Sequence, residues 1–347
     1  MSSVDRRVLV IRRRYLGDVV LLGSLLRNLR LAWPEATLGA LVETRFAEVL
    51  KLNPDVNAIL TLPTRLREWP GFVRQLRRRR FTHVLDFDNT EKTAAIARLS
   101  GASTRVVLHH GGYRVKLRRA YTHVVHDPTE RHEHRPITDY YLRALEPIGV
   151  PVQTRDIALM PPPAEIESLR RVVGAGGKVV LVHPGSRSPM RLWPAANFAA
   201  VCDFVQDELD AQVVLVGGPG DTAMLGEIRA HARTHLLAPP PPHSIGRFAA
   251  LARLSHVLLC HDSGPMHVAA AVGTPVVALY GSQNAALFCP VGAGHTLLQP
   301  PLPCVACVAP TRCVPGDSYH NLCVRNVSVD RVKSALREAL RHAPQRP

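Results

Sequence analysis

Three stretches place chemically able side chains directly after apolar runs. In RRRYLGDVV, Gly17 and Asp18 stand between a strand-like segment and a helical one, so the Asp18 carboxylate is expected to project from a βα turn. That position suits a general base, kept ionised by the helix macrodipole, and it equally suits a helix N-cap; the residues alone favour the cap. In HPGSRSPMRLWP, His183 to Pro194, a glycine turn is followed by Ser186, Arg187, Ser188 and Arg191. The hydroxyls can donate to phosphate oxygens, and either arginine can neutralise charge on a departing diphosphate. Trp193 and Pro194 read as packing and helix start. In CHDSGPMHVAAAVGTPVVALYGS, from Cys260, Ser263 and Gly264 open a small-residue helix whose backbone N–H groups form an anion site, with His267 about one turn on. A lone histidine on such a helix is as often structural as ligating.

The elements that must hold these groups alternate in type. VLVI from Val8, an apolar helix over Val19 to Leu31, LGALVE from Leu38 and THVLDF from Thr82 make a parallel α/β pattern. It resumes after Pro161, Pro162 and Pro163 with KVVLVHPG, AQVVLVGGPGD, SHVLLCHDSG and TPVVALYGS. Two domains are therefore expected, residues 1–160 and 161–327, followed by a closing helix over 328–347 that starts on Ser328 and has the option of packing back on the first domain. Each βα turn lies at the carboxyl edge of its strand, and two such edges facing each other would form one cleft.

Familiar nucleotide and metal signatures are absent from the sequence. GGPGD at Gly217 is not GxGxxG, GAGGKV at Gly174 lacks the spacing of a P-loop, and RHEHRP at Arg131 is not HExxH. Seven cysteines in a chain with no export signal point to reduced thiols; Cys304, Cys307, Cys313 and Cys323 could hold zinc but lack a paired second CxxC. The net charge of +15, including the run Arg77 to Arg80, points to an anionic partner such as nucleic acid, phospholipid or a phosphorylated glycolipid, while most of these arginines read as a solvated basic face. With aromatics at only 5% and no zinc-finger or ribonucleoprotein motif, nucleic acid is not the expected one. The short apolar run before Arg12 is no signal peptide, and no stretch is long enough to span a bilayer, so a cytoplasmic protein is expected. Peripheral contact with the cytoplasmic face of an inner membrane is the further option.

Taken in order, YLGDVV, HPGSRSPMRLWP, GGPGD and DSGPMHVAAAVGTPVVALYG resemble glycosyltransferase family 9, the ADP-heptose:lipopolysaccharide heptosyltransferases, and weaker matches extend over nearly the whole chain. The resemblance implies a GT-B fold of two facing Rossmann-like domains, the first for the acceptor and the second for the nucleotide sugar. It implies an inverting, metal-independent and cofactor-free transfer from ADP-heptose to an anionic glycolipid acceptor. Asp18 becomes the base, with Gly17 beside it on the acceptor side; by their own chemistry Arg12 and Arg14 flank the cleft, where either could meet an anionic group of the acceptor or simply form a basic surface rim. The resemblance implies Arg191, Asp262, Ser263, Gly264 and His267 as donor-binding residues, and Ser186 and Arg187 join them from their own chemistry. Arg191 stands where the family has a lysine, which keeps the charge but changes its geometry. The readings left beside this one are a relative using another nucleotide sugar for O-antigen or capsule, and a nucleotide-binding protein without turnover.

Overall fold

A computed structural model describes residues 5–128, 135–174, 176–240, 244–300 and 322–343. The chain divides into two compact units, Met1–Ala158 and Leu159–Pro347. Each is built on its own parallel sheet.

The first unit has six strands: β1 (Arg7–Ile11), β2 (Thr37–Val42), β3 (Ala58–Thr61), β4 (His83–Asp86), β5 (Thr104–His110) and β6 (His123–Asp127). They run in the spatial order β3-β2-β1-β4-β5-β6. Val8 to Ile11 are fully buried, as expected of a central parallel strand covered on both faces, which is why VLVI reads as a continuous apolar run instead of alternating. Sequence order reverses between β1 and β4, whose register pairs Ile11 with Asp86. A crevice at the carboxyl ends of these two strands is where doubly wound sheets receive ligands.

The single helix expected over Val19 to Leu31 is instead two, α1 (Leu16–Leu21) and a second over Gly23–Ala32, joined at Leu22. At Gly23 a Cβ would come within 2.5 Å of Ile157 Cγ2, so the close approach there needs a glycine. The chain before the second unit crosses that spot, and Asn28 holds it by donating to Thr154 O at 2.7 Å and accepting from the Gln153 N–H at 2.6 Å.

The second unit has five strands: β7 (Lys178–His183), β8 (Ala211–Leu215), β9 (Val257–His261), β10 (Val276–Leu279) and β11 (Thr296–Leu298), in the order β11-β10-β9-β7-β8. Here the reversal falls between β7 and β9, with His183 opposite Cys260. Pro162 and Pro163 serve as N-cap and first residue of the helix Pro163–Val173, where a missing N–H costs nothing. The last helix, Val329–His342, is capped by Ser328, whose hydroxyl accepts the Arg331 N–H at 3.3 Å. Its buried face, Val332, Leu336 and Leu340, belongs to the second unit's own core, beside Trp193, Phe198 and Val277. Among the described residues no helix is long and apolar enough to cross a membrane.

Candidate active site

In the first unit, the turn after β1 carries Arg12 to Tyr15 and leads into α1, while the turn after β4 carries Phe87 and Asp88. Asp18 is the third residue of α1 and not its N-cap; the cap is Tyr15, whose N–H donates to Asp18 Oδ2 at 3.0 Å. The capping alternative is thus corrected in position: the carboxylate reaches back over the first turn, as the acidic half of a capping box does. Its other oxygen is shared. Arg12 Nη2 donates to Asp18 Oδ1 at 2.5 Å, and the Tyr141 hydroxyl donates to the same atom at 2.8 Å.

Arg12 is itself held from behind. Its Nη1 donates to Phe87 O at 2.8 Å and lies 3.4 Å from Asp88 Oδ1, while Asp88 Oδ2 accepts from both the Arg13 N–H and its Nε at 2.9 and 2.8 Å. Asp88 is aligned in turn by its N–H, which donates to Asp86 Oδ1 at 2.9 Å. Burial works against the charged Asp18, but Arg12, the Tyr15 N–H and the Tyr141 hydroxyl outweigh it and hold the carboxyl below its usual range. Asp86 shows the opposite balance: complete burial pushes it up to about 6, although Tyr121 and the Asp88 N–H donate to it. Gly17 lies within α1 beside Asp18. Arg14 is exposed and stacks its guanidinium 5.2 Å from the Tyr15 ring, apart from the Arg12 and Asp18 pair.

In the second unit, the motifs at His183 and Cys260 meet at the β7 and β9 carboxyl ends. Arg191 Nη1 reaches Asp262 Oδ2 at 3.1 Å and Asp262 O at 3.3 Å. The segment bearing Arg191 is pinned one step further on, where the Trp193 N–H donates to His261 Nε2 at 2.8 Å and Trp193 Nε1 donates to Val327 O at 2.9 Å. Burial, then neighbouring His183, pushes His261 down to about 3, so it stays neutral and able to accept that bond. Trp193 is fully buried, and Pro194 caps the helix Ala195–Leu209, so both are structural.

Ser263 is the N-cap of the helix Gly264–Ala271, yet its hydroxyl makes no cap bond and has no partner among the described residues. The expected row of free N–H groups is narrower than the sequence suggested. Pro265 has none, and the Met266 N–H donates to Ser263 O at 3.1 Å, which leaves Gly264 at the half-buried end of the helix. His267 is buried on the same helix. Ser186 is half-buried, with the Ser188 N–H 3.4 Å from its Oγ, and Arg187 is exposed.

Several residues here carried no assignment in the sequence. Asp88 follows β4 in VLDFDN, so the carboxyl-edge rule that found Asp18 could have found it. Asp221, from GGPGD, accepts the Gly218 N–H at 2.8 Å, lies 4.0 Å from His183 Nε2 and fills the space over Gly185, where any Cβ would collide with its carboxylate. Tyr141 gives no local signal, because 123 residues separate it from Asp18. No group of three or more potential metal ligands occurs among the described residues. Cys304, Cys307 and Cys313 lie outside those residues, and Cys323 is buried.

Two parallel α/β sheets, each with charged groups at the strand-order reversal, are the parts of a GT-B architecture. The chain matches the glycosyl transferase family 9 structure from Veillonella parvula at a TM-score of 0.84 with 22% identity, over 98% of this chain and 99% of that one. It matches the Escherichia coli ADP-heptose lps heptosyltransferase II at a TM-score of 0.77 and 22% identity, over 96% and 98% of the two chains. It is also 25% identical over 289 residues to Escherichia coli lipopolysaccharide heptosyltransferase 3, covering 78% of this chain and 82% of that protein. Residues 69–315 match glycosyltransferase family 9 (heptosyltransferase), and the chain belongs to that family. It is a glycosyltransferase.

Proposed function

We propose that this enzyme transfers heptose from ADP-heptose to a hydroxyl of a lipopolysaccharide core acceptor, with inversion and with no step that needs a metal. The names of its relatives, a lipopolysaccharide heptosyltransferase 3 and an ADP-heptose lps heptosyltransferase II, support the donor and the acceptor class. The observation that carries the reading is the convergence of Arg191, Asp262, Ser263 and Gly264 at the reversal point of the second sheet, from motifs 71 residues apart, with Asp18 at the corresponding point of the first.

In this reading the acceptor hydroxyl gives its proton to Asp18 as its oxygen bonds to the anomeric carbon. The bond from that carbon to the diphosphate breaks, and ADP leaves with the electron pair. Arg191, the Ser186 hydroxyl and the Gly264 N–H stabilise the charge on the departing phosphate. His267 and Asp262 shape that site, Asp262 by orienting Arg191. Gly17, in the first turn of α1, puts no side chain beside Asp18, and Arg14, exposed and uncommitted to Asp18, meets an anionic group of the acceptor. Arg187 extends the cationic rim on the donor side. A weakly basic aspartate suits a displacement in which the glycosidic bond is largely broken, and the attacking hydroxyl correspondingly acidified, before the proton moves.

The test pairs Asp18→Asn with a donor comparison. The variant should lose transfer by at least about a hundredfold, the usual contribution of a positioned base, while its affinity for ADP stays within experimental error of the parent. Thermal stabilisation should be selective for ADP and ADP-heptose over UDP, GDP and their sugars. Transfer that persists in the variant removes Asp18 as base, and preference for another nucleotide replaces the sugar while leaving the enzyme class intact.

A further inference from the structure

On the first unit, five arginines surround a groove of about 780 Å³: Arg7, Arg74, Arg77, Arg78 and Arg80. Its apolar floor is Pro70 and Val73. The groove lies along the helix Trp69–Arg78 and the first residue of β1, at the amino edge of the sheet, whereas Asp18 follows the carboxyl edge. Phe72 and Leu76 turn inward and are buried, which leaves Arg74, Arg77 and Arg78 on the outer face. Arg7 is balanced by Asp5 at 2.8 Å, and Arg77 Nε donates to Leu99 O at 3.4 Å. Among the described residues no carboxylate pairs with Arg74, Arg78 or Arg80. Arg74 and Arg78 stand at i,i+4 on the helix, a like-charge spacing that destabilises it. The negative end of the helix dipole compensates Arg77 and Arg78 in the last turn, but not Arg74 a turn earlier.

We infer that this groove docks the enzyme on an anionic phospholipid surface, with lipid phosphates held between the arginines. Over 65–80 the chain carries seven arginines against one acid, Glu68, whose carboxylate is already used by the Thr64 and Arg65 N–H groups. With its apolar face committed to the core, the helix offers the membrane its arginine cluster, and such a cluster favours an anionic bilayer. Apolar contact is provided close by: Leu66, three residues before the helix, is 89% exposed. Nucleic acid fits less well, because Trp69 is half-buried against Phe72 and no aromatic ring lines the groove for bases to stack on. The groove occupies the sheet edge opposite Asp18, so a headgroup there does not compete with the acceptor at the base. The inference rests on the proposed lipid-borne acceptor only for its purpose; the binding itself is independent of donor and acceptor.

The experiment is co-sedimentation of the full chain with phosphatidylcholine vesicles, with and without phosphatidylglycerol, for the parent and for Arg74→Gln/Arg78→Gln. Glutamine preserves helix propensity, so the fold should be retained, and an unchanged melting temperature checks it. The parent should bind only the anionic vesicles, with binding that falls as salt is added. The double variant should bind about thirtyfold more weakly, as expected for removing two surface cations. Transfer to a delipidated acceptor oligosaccharide is measured alongside and should be unchanged. Equal binding of neutral vesicles, or equal binding by the variant, overturns the docking role. Oligonucleotide binding at physiological salt that is lost in the variant, without vesicle binding, replaces the lipid with nucleic acid. A parent that binds anionic vesicles but transfers no heptose keeps the docking surface and defeats the proposed activity instead.

Discussion

Removing one hydroxyl from Tyr141 tests whether Asp18 is tuned in the way the structure indicates. Tyr141→Phe keeps the ring, its edge contact with Phe87 at 5.2 Å and the Arg12 guanidinium 5.6 Å from its centroid, and deletes only the 2.8 Å bond to Asp18 Oδ1. A hydrogen bond to a charged group contributes about 1.5–3 kcal/mol, and the Asp18 side chain is only 17% exposed, so little screening applies. Since about 1.4 kcal/mol corresponds to one pH unit, the Asp18 carboxyl should rise by roughly one to two units in the variant. Linkage sets the sign. Asp18 titrates below its unfolded value, so its ionic contacts stabilise the fold fully above roughly pH 4 and are lost as pH falls through the folded value. The variant should therefore be less stable by about 1.5–3 kcal/mol at neutral pH, with a difference that narrows under acid. Urea unfolding at several pH values measures this, and the pH profile of kcat/KM for transfer gives an independent reading. The acid limb of that profile should move to higher pH by the same one to two units or so. A destabilisation of constant size across pH, with an unmoved acid limb, would refute the argument that Tyr141 acts through the Asp18 carboxylate.

Two further outcomes are expected. Gly185→Ala drives a methyl into the Asp221 carboxylate, forcing apart the turns after β7 and β8; weakened ADP binding, by calorimetry, should accompany a loss of stability of about 1–3 kcal/mol. Asp86, pushed up to about 6 by burial, binds its proton more tightly folded than unfolded, so the parent should lose on the order of 3 kcal/mol between about pH 4 and 6, and Asp86→Asn should flatten that slope in urea titrations.

The chain's own order of residues determined much of this protein. Strands β1, β4, β7 and β9 were legible because parallel strands buried on both faces need uninterrupted apolar runs, and such runs are local. The positions of Asp18, Ser186, Arg191, Ser263 and Gly264 were legible for a related reason, since each comes just after a strand and a βα turn delivers the next residues to the carboxyl edge. The close packing at Gly23 was hidden, because it depends on Ile157, far along the chain. The same holds for Tyr141 on Asp18, for Asp88 behind Arg12, and for Asp221 over Gly185. Which of three consecutive arginines faces the carboxylate was likewise undecidable from RRRYLGD; the partners Phe87 O and Asp88, supplied by the neighbouring strand, select Arg12. Sequence periodicity specifies the elements and the edge on which a residue falls, whereas charge partners, and with them the acidity of Asp18, are set only when strands distant in sequence are brought side by side.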